Sequence, residues 1–392
     1  ANRPTAAPTA RWKRRPFRSA AIAFGMAALC AAAALYWRLP RPAPPSANAS
    51  DALAWFSQAS VATFSDEGEN VTLAELQLKG YSVLSVSTAG ADGPVAVLLE
   101  QRGPAGKRVL CTISPSAKRA SIRFVTGPAA RMELLASVTA IGGSLFDGYG
   151  LVRADGVLSL VSLRDDAYRM PLSAQVDGGA AVAMHPAGAQ WVAAAPQADG
   201  SSSLTAYALE GGKIEQKPVL PGGPRIAHVQ FSGDGRQLAY LRFAGAGTHS
   251  LRIVSAAGVT FEPAPIREGR VALAPGAFNA DTSAVLVSVE HDGGPPSVEV
   301  VSTVDGQLLA EFGGAMRGAW DTRGGVVLSA PDGKGAVQLW RATMDAPATR
   351  KQLTFLDGGT DRAVLVSPDG QWASTYAANT PRPSLVFSRL VR

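Results

Sequence analysis

The sequence predicts an all-β chain of β-propeller architecture preceded by one apolar helix, and three observations carry that prediction. Short apolar runs are punctuated by 41 glycines and 27 prolines, the composition of a chain with many strands and tight turns. A turn such as "FSGDGRQL" recurs at spacings of 42 to 47 residues. A short alternating strand such as "LRIVS" follows each turn and advances at nearly the same period. A repeat of 40 to 50 residues, each with about four short strands, is the blade of a propeller.

The first 18 residues are a basic arm. Residues 1–41 hold Arg3, Arg11, Lys13, Arg14, Arg15, Arg18, Arg38 and Arg41 and no acid. The remaining 29 basic residues face 31 acidic ones, so the formal charge of +6 belongs to the arm and the rest is nearly neutral. A nucleic-acid-binding surface is thereby disfavoured, since its electrostatic footprint would have to lie on the folded part.

Residues 19–38 read as a transmembrane helix. Ser19 to Trp37 is uncharged and as a helix spans roughly 28 Å, close to the ~30 Å of a bilayer's hydrocarbon. Basic residues crowd its N-terminal side, which keeps that side in the cytoplasm. Tyr36, Trp37 and Arg38 form an interfacial anchor, and Pro40, Pro42, Pro44 and Pro45 stop the helix. The Tyr-Trp-Arg end does not resemble a signal-peptide cleavage site, Leu29 is wrong for a lipidated Cys30, and Ala1 is consistent with a retained N-terminus. Ala23, Ala27 and Ala31 lie on one face, a spacing that lets helices approach closely in lipid. The plain alternative is ordinary alanine usage in a GC-rich bacterial genome.

Residues 39–52 are a Pro/Ala-rich linker, and residues 53–392 are the expected extracytoplasmic propeller. Its turn markers are His185, Ser232, Asn279, Asp321 and Ser367; the strand markers are Leu110, Leu158, Leu204, Leu251, Val298, Val337 and Leu385. Seven markers predict seven blades, with six as the alternative. Within one unit the strands are expected at Ile226–Phe231, Gln237–Arg242 and Leu251–Ser255, with a ragged fourth at Thr260–Pro263. The last unit ends after its third strand, so Ser60–Phe64 or Val71–Leu76 is expected to complete it, because an open ring exposes strand edges.

"FSGDGRQLAYLR" and "VSPDGQWASTYA" resemble the repeat of TolB-type propellers, and "VEVVSTVDGQLLAEF" and "VQLWR" are similar to strands of WD-repeat propellers. The resemblance implies the fold of roughly residues 80–390 and no catalytic residue. Trp320-Asp321 stands at a turn, where it is not the WD-repeat hallmark.

No catalytic, cofactor or metal motif emerges. His185, His228, His249 and His291 fall at no zinc-ligand spacing; His185 reads as a turn residue, and His249 and His291 as solvated loop residues. Asp234, Gly235, Asp281, Asp369 and Gly370 read as blade turns in which Asp accepts local hydrogen bonds and Gly supplies a positive φ. Cys111 reads as a buried strand residue, and no disulfide framework is present.

These readings lead to a non-catalytic scaffold or accessory subunit in a bacterial inner membrane. A single-pass anchor would hold the propeller in the periplasm as part of a hetero-oligomeric assembly, energy-transducing or belonging to the envelope. The arm around Arg11, Trp12, Lys13, Arg14, Arg15 and Arg18 suits anionic lipid headgroups or a partner's cytoplasmic face; its plain reading is a topology signal. The alternative is a propeller that binds a small ligand, or acts as an enzyme, at its central channel.

Overall fold

A computed structural model describes the strands between Thr63 and Ser173 and, with short gaps, residues 181–390. The arm, the helix expected over 19–38, the linker, Asp369 and Gly370 lie outside the described residues. Among the described residues no helix is long and apolar enough to cross a membrane.

The described residues form antiparallel sheets throughout. Two strands, β1 (Thr63–Asp66) and β2 (Thr72–Gln77), come first. A first sheet follows, β3 to β6 (Tyr81–Thr88, Val95–Gln101, Arg108–Ser114, Arg119–Val125). The next is β7 to β10 (Met132–Val138, Tyr149–Ala154, Val157–Ser162, Arg169–Ser173), and then β11 to β14 (Ala181–Met184, Gln190–Pro196, Ser201–Glu210, Lys213–Pro224).

A seven-stranded sheet runs from β15 to β21 (Ile226–Phe231, Gln237–Gly245, Thr248–Ser255, Arg267–Phe278, Ala284–Glu290, Ser297–Ser302, Leu308–Gly313). It is two blades sharing one strand. Residues 267–269 of β18 pair with β17, and residues from Arg270 onward pair with β19. The chain continues through β22 to β25 (Arg317–Trp320, Gly325–Pro331, Val337–Thr343, Arg350–Gln352). It ends in β26 to β28 (Leu365–Val366, Trp372–Ala377, Ser384–Arg389).

The first strands of the successive groups touch one another in turn. β3 packs on β7, β7 on β11, β11 on β15, β15 on β18, β18 on β22, β22 on β26, and β26 returns to β3. A closed ring of inner strands with antiparallel sheets extending outward is a propeller. Closure is made as the sequence requires: β2 pairs with β28, and β1 pairs with β2, so the last sheet reads β1-β2-β28-β27-β26.

Every strand marker falls on the third strand of its group: β5, β9, β13, β17, β20, β24 and β28. The turn markers share a geometry too. The backbone N–H of His185, Ser232, Asn279 and Asp321 donates across the hairpin to Gln190, Gln237, Ala284 and Gly325, at 2.8 to 3.0 Å.

One expectation is corrected. The fourth strand of the β15 blade lies at residues 267–269, not at Thr260–Pro263. Pro263 and Pro265 lack the N–H a ladder needs, so the described residues 261–265 pass by as irregular chain.

The core lies between blades. β19 and β20 are buried almost end to end, because both faces of their sheet are covered. One face, with Val285, Val287, Val289 and Val301, packs on Leu241, Leu251 and Ile266 of the β15 blade. The other, with Leu286, Val298, Val300 and Phe312, packs on Ala315, Val326 and Leu328 toward β22 and β23. Alternation along each strand thus serves two neighbours instead of one core and solvent.

Candidate functional site

Of the turn residues singled out in the sequence, Asp234, Gly235 and Asp281 lie among the described residues, and their contacts are local to the turns or to the neighbouring turn. The Ser232 hydroxyl donates to Asp234 Oδ1 at 2.6 Å, which also accepts the Arg236 N–H at 3.0 Å. These bonds hold the Asp234 carboxyl below the usual carboxylate range, the serine bond contributing most. At Asp281 the carboxylate accepts both bonds from Ser283, its hydroxyl at 2.6 Å and its N–H at 3.0 Å. Gly235 has φ +74° and packs against the His185 ring, so a Cβ there would overlap the imidazole. His185 therefore joins the turn of one blade to the turn of the next, and its ring also meets Phe231 edge-on at 5.0 Å. His249 departs from its loop reading: it lies on β17 with its ring 4.7 Å from that of Phe243.

Several polar side chains clasp blade to blade or lock a blade internally, and apart from Trp320 and Asp321 none of them stands out in the sequence. Gln230 on β15 donates to the Ala274 carbonyl and accepts the Ala277 N–H, both at 2.9 Å, while Trp320 Nε1 donates to the Ala277 carbonyl at 2.6 Å. Arg242 is 1% exposed and donates to Glu262 and to the carbonyls of Ser202, Pro221 and Pro224. The Tyr240 hydroxyl donates to the same Glu262 at 3.0 Å, and burial raises its pKa well above the usual range. Asp321 is 2% exposed and ion-paired with Arg341. A buried charge needs partners to be tolerated, and these groups are held as fasteners.

One region has a different character. Between the loop before β18 and the outer strands β20 and β21 lies a groove of ≈ 410 Å³, lined by Pro265, Ile266, Arg267, Glu268, Glu299, Val301, Gly306 and Leu308. Its floor is the Arg267–Glu299 pair, in which Nε and Nη2 of Arg267 each donate to one carboxylate oxygen at 2.7 Å. Gly306 has φ +72°, and a Cβ on it would stand 2.6 Å from the Ile266 carbonyl oxygen, so only glycine lets this wall close.

A bulge sets the outer wall. Val300 pairs with Ala310 but Val301 pairs with Leu308, leaving Leu309 as the extra residue. Leu308 consequently joins Glu311 on the face that Val301 and Glu299 occupy, although the two are three positions apart. Leu308 is 49% exposed, Leu309 43% and Val304, in the preceding turn, 87%.

His291, Glu299 and Glu311 bring one ligand atom each to within 4.8 Å of one another. As a metal centre the set is poor. The one buried member, Glu299, already neutralises Arg267, so a divalent cation there would sit beside a guanidinium. His291 Nε2 is hydrogen-bonded to Ser297 Oγ at 2.9 Å, and Glu311 is exposed. The signal that could have revealed this region is charge: from Val271 to Met316 there are six carboxylates and no lysine or arginine.

No family model matches the chain, and no curated protein does. Solved structures do. An oligogalacturonate lyase in complex with manganese is 13% identical, with 84% of this chain and 96% of that one covered and a TM-score of 0.61. A chain of a mitotic checkpoint complex is 12% identical, covering 85% and 94%, with a TM-score of 0.53. The Pan2 WD40 domain of Neurospora crassa is 11% identical, covering 79% and 90%, with a TM-score of 0.51. At such identities the likeness shows a propeller fold, which one architecture lends to unrelated functions.

Proposed function

We propose that this chain is a non-catalytic binding propeller of seven blades, held by an N-terminal helix over residues 19–38 at a bacterial inner membrane. There it serves as a scaffold or accessory subunit of a larger membrane assembly. The ring of β3, β7, β11, β15, β18, β22 and β26 supports the count of seven. The observation that carries the binding role is the allocation of side chains. The interior ionic groups above are each paired within or between blades, while Val304, Leu308 and Leu309 stand exposed beside the groove. Apolar side chains gathered on an outer wall mark an interaction surface more readily than a reaction centre.

A channel-mouth enzyme or ligand binder is the second reading, favoured by the likeness to the lyase and by His228 on an inner strand, bonded to Gln230 at 3.2 Å. Against it, the strand that bears His228 (IAHVQF) and the inner strands beside it, AVAM and residues 270–278, carry no carboxylate. The acidic partner that acid–base work or metal binding requires would have to come from elsewhere in the ring, where β7 carries Glu133.

The test is gentle detergent extraction followed by native electrophoresis and mass spectrometry. Co-migration with other membrane subunits is expected; a lone monomer would overturn the scaffold role. A reporter fused to the C-terminus should be active only outside the cytoplasm, and cytoplasmic activity would overturn the topology.

A further inference from the structure

The blade built on β19 to β21 is electrically one-sided. Asp281, Glu290, Asp292, Glu299, Asp305 and Glu311 lie between Val271 and Met316, and no cation lies among them. Two of the six are engaged with cations from outside the segment: Glu299 with Arg267, and Asp292 with Arg270 at 3.3 Å. Glu290, Asp305 and Glu311 are exposed, and Glu268 adds a further exposed carboxylate on the groove wall. The same edge presents Val304, Leu308 and Leu309. β21 is also the last strand of its sheet, with one end tied down where Arg350 Nη2 donates to the Gly313 carbonyl at 2.6 Å.

Carboxylates interleaved with aliphatic side chains along a groove select by charge and by shape at once. A polyanion is repelled, which excludes nucleic acid and an anionic bilayer as occupants. A neutral apolar segment gains contact area but no steering. A segment that alternates cationic and aliphatic side chains satisfies both: its apolar side chains rest on Leu308 and Ile266 while its ammonium or guanidinium groups meet Glu268 and Glu311. An extended backbone matches both the groove and the free strand edge.

We propose that the groove between Ile266 and Leu308 is a docking site for an extended, basic and aliphatic segment of a partner protein. This rests on the chain being a binding module and adds the chemistry of what it binds. The chain's own basic arm would be excluded as occupant only under the proposed topology, so it enters the test below as a competitor.

The experiment uses the full chain in detergent micelles and a fluorescent short peptide alternating lysine with leucine, followed by anisotropy. Saturable binding that weakens with salt is expected, with no binding of the matching glutamate–leucine peptide. The pair Glu268→Gln and Glu311→Gln should weaken binding several-fold, and Leu308→Ser should weaken it at any salt. These side chains are exposed, so thermal unfolding should be unchanged in all three variants.

Equal binding of the acidic peptide, or unchanged binding by the Gln and Ser variants, would overturn the proposal. So would tighter peptide binding after deletion of residues 1–18, because the arm would then be the native occupant. The outcome separates from that of the scaffold role. A chain that binds the peptide but migrates alone loses the assembly and keeps the site, and one that co-migrates with subunits but ignores the peptide does the reverse.

Discussion

Arg267 and Glu299 form a two-pronged ion pair, Nε to Oε2 and Nη2 to Oε1, each at 2.7 Å, from the β17–β18 side of the groove to the buried face of β20. The glutamate side chain is 3% exposed and the arginine 36%, so the two partners are not equivalent. Removing one partner of a buried pair costs roughly 3–5 kcal/mol because the other charge is stranded. Solvent reaches Arg267, so Arg267→Met is expected to cost about 2–3 kcal/mol. Adding Glu299→Leu should recover most of that loss, since Val287 and Val301 already make the face apolar. Denaturant unfolding of the two variants checks this; a single variant as stable as the parent would refute the pair's structural role.

The Gly235 turn offers a second test, one of geometry. Alanine there must adopt a left-handed conformation, at about 1–2 kcal/mol, and must also displace the His185 ring, with overpacking of about 1–3 kcal/mol. Gly235→Ala should therefore lower stability by about 2–5 kcal/mol. Combining it with His185→Ala should return only the overpacking part. Full rescue would mean the backbone is unstrained, and no rescue would mean the ring is not the obstacle; thermal unfolding distinguishes the two.

How far the sequence reveals this molecule depends on the distance between interacting residues. The hairpins were legible because Ser232, Asp234 and Gly235 act within a few positions of one another, and their recurrence gave the period. Closure by residues near the N-terminus was legible because a missing strand leaves an edge that something must cover. The fourth strand was misplaced because β18 serves two blades, and a run with one side chain pattern conceals that its pairing partner changes at Arg270. The clasps were invisible. Arg242 reaches Ser202, and Arg267 reaches Glu299, across blades, and a pair held by the packing of two sheets leaves no local pattern. The groove had only a weak trace, the absence of any lysine or arginine over residues 271–316, and the bulge at Leu309 that puts Leu308 beside Glu311 could not be read from alternation.

Stability should depend on pH through His185. Burial lowers its pKa below the ordinary value, outweighing the opposing influence of the Gly235 backbone and the Asp234 carboxylate. The unfolded chain then binds a proton more readily than the folded one. The contribution is complete above the unfolded value of about 6.5 and is lost as pH falls through the folded value. His185→Asn, which places at this turn the residue type found at Asn279, should flatten the slope of stability between about pH 7 and pH 5. His228 also has a lowered pKa, because protein surrounds it although part of its surface meets solvent, so some slope should persist. An unchanged slope in the variant would remove His185 from the account.

Closure of the ring provides the broadest test, because it separates a structural role for the N-terminal strands from a tethering one. β2 meets β28 through five residue pairs, from Leu73 with Ser388 to Gln77 with Ser384. A chain beginning at Ala59 keeps β1 and β2 and should fold and remain monomeric. A chain beginning at Lys79 loses both, and β28 becomes an unprotected edge beside the buried Val386 and Phe387. With net backbone hydrogen bonds worth about 1 kcal/mol each, the loss is about 3–5 kcal/mol, and the bared edge favours aggregation. A synthetic peptide of residues 70–78 added in trans should restore solubility and raise the melting temperature of the shorter chain, as strand addition to an open edge does. If the shorter chain is as stable and soluble as the longer one, the ring closes through its own inner strands and the N-terminal pair is dispensable.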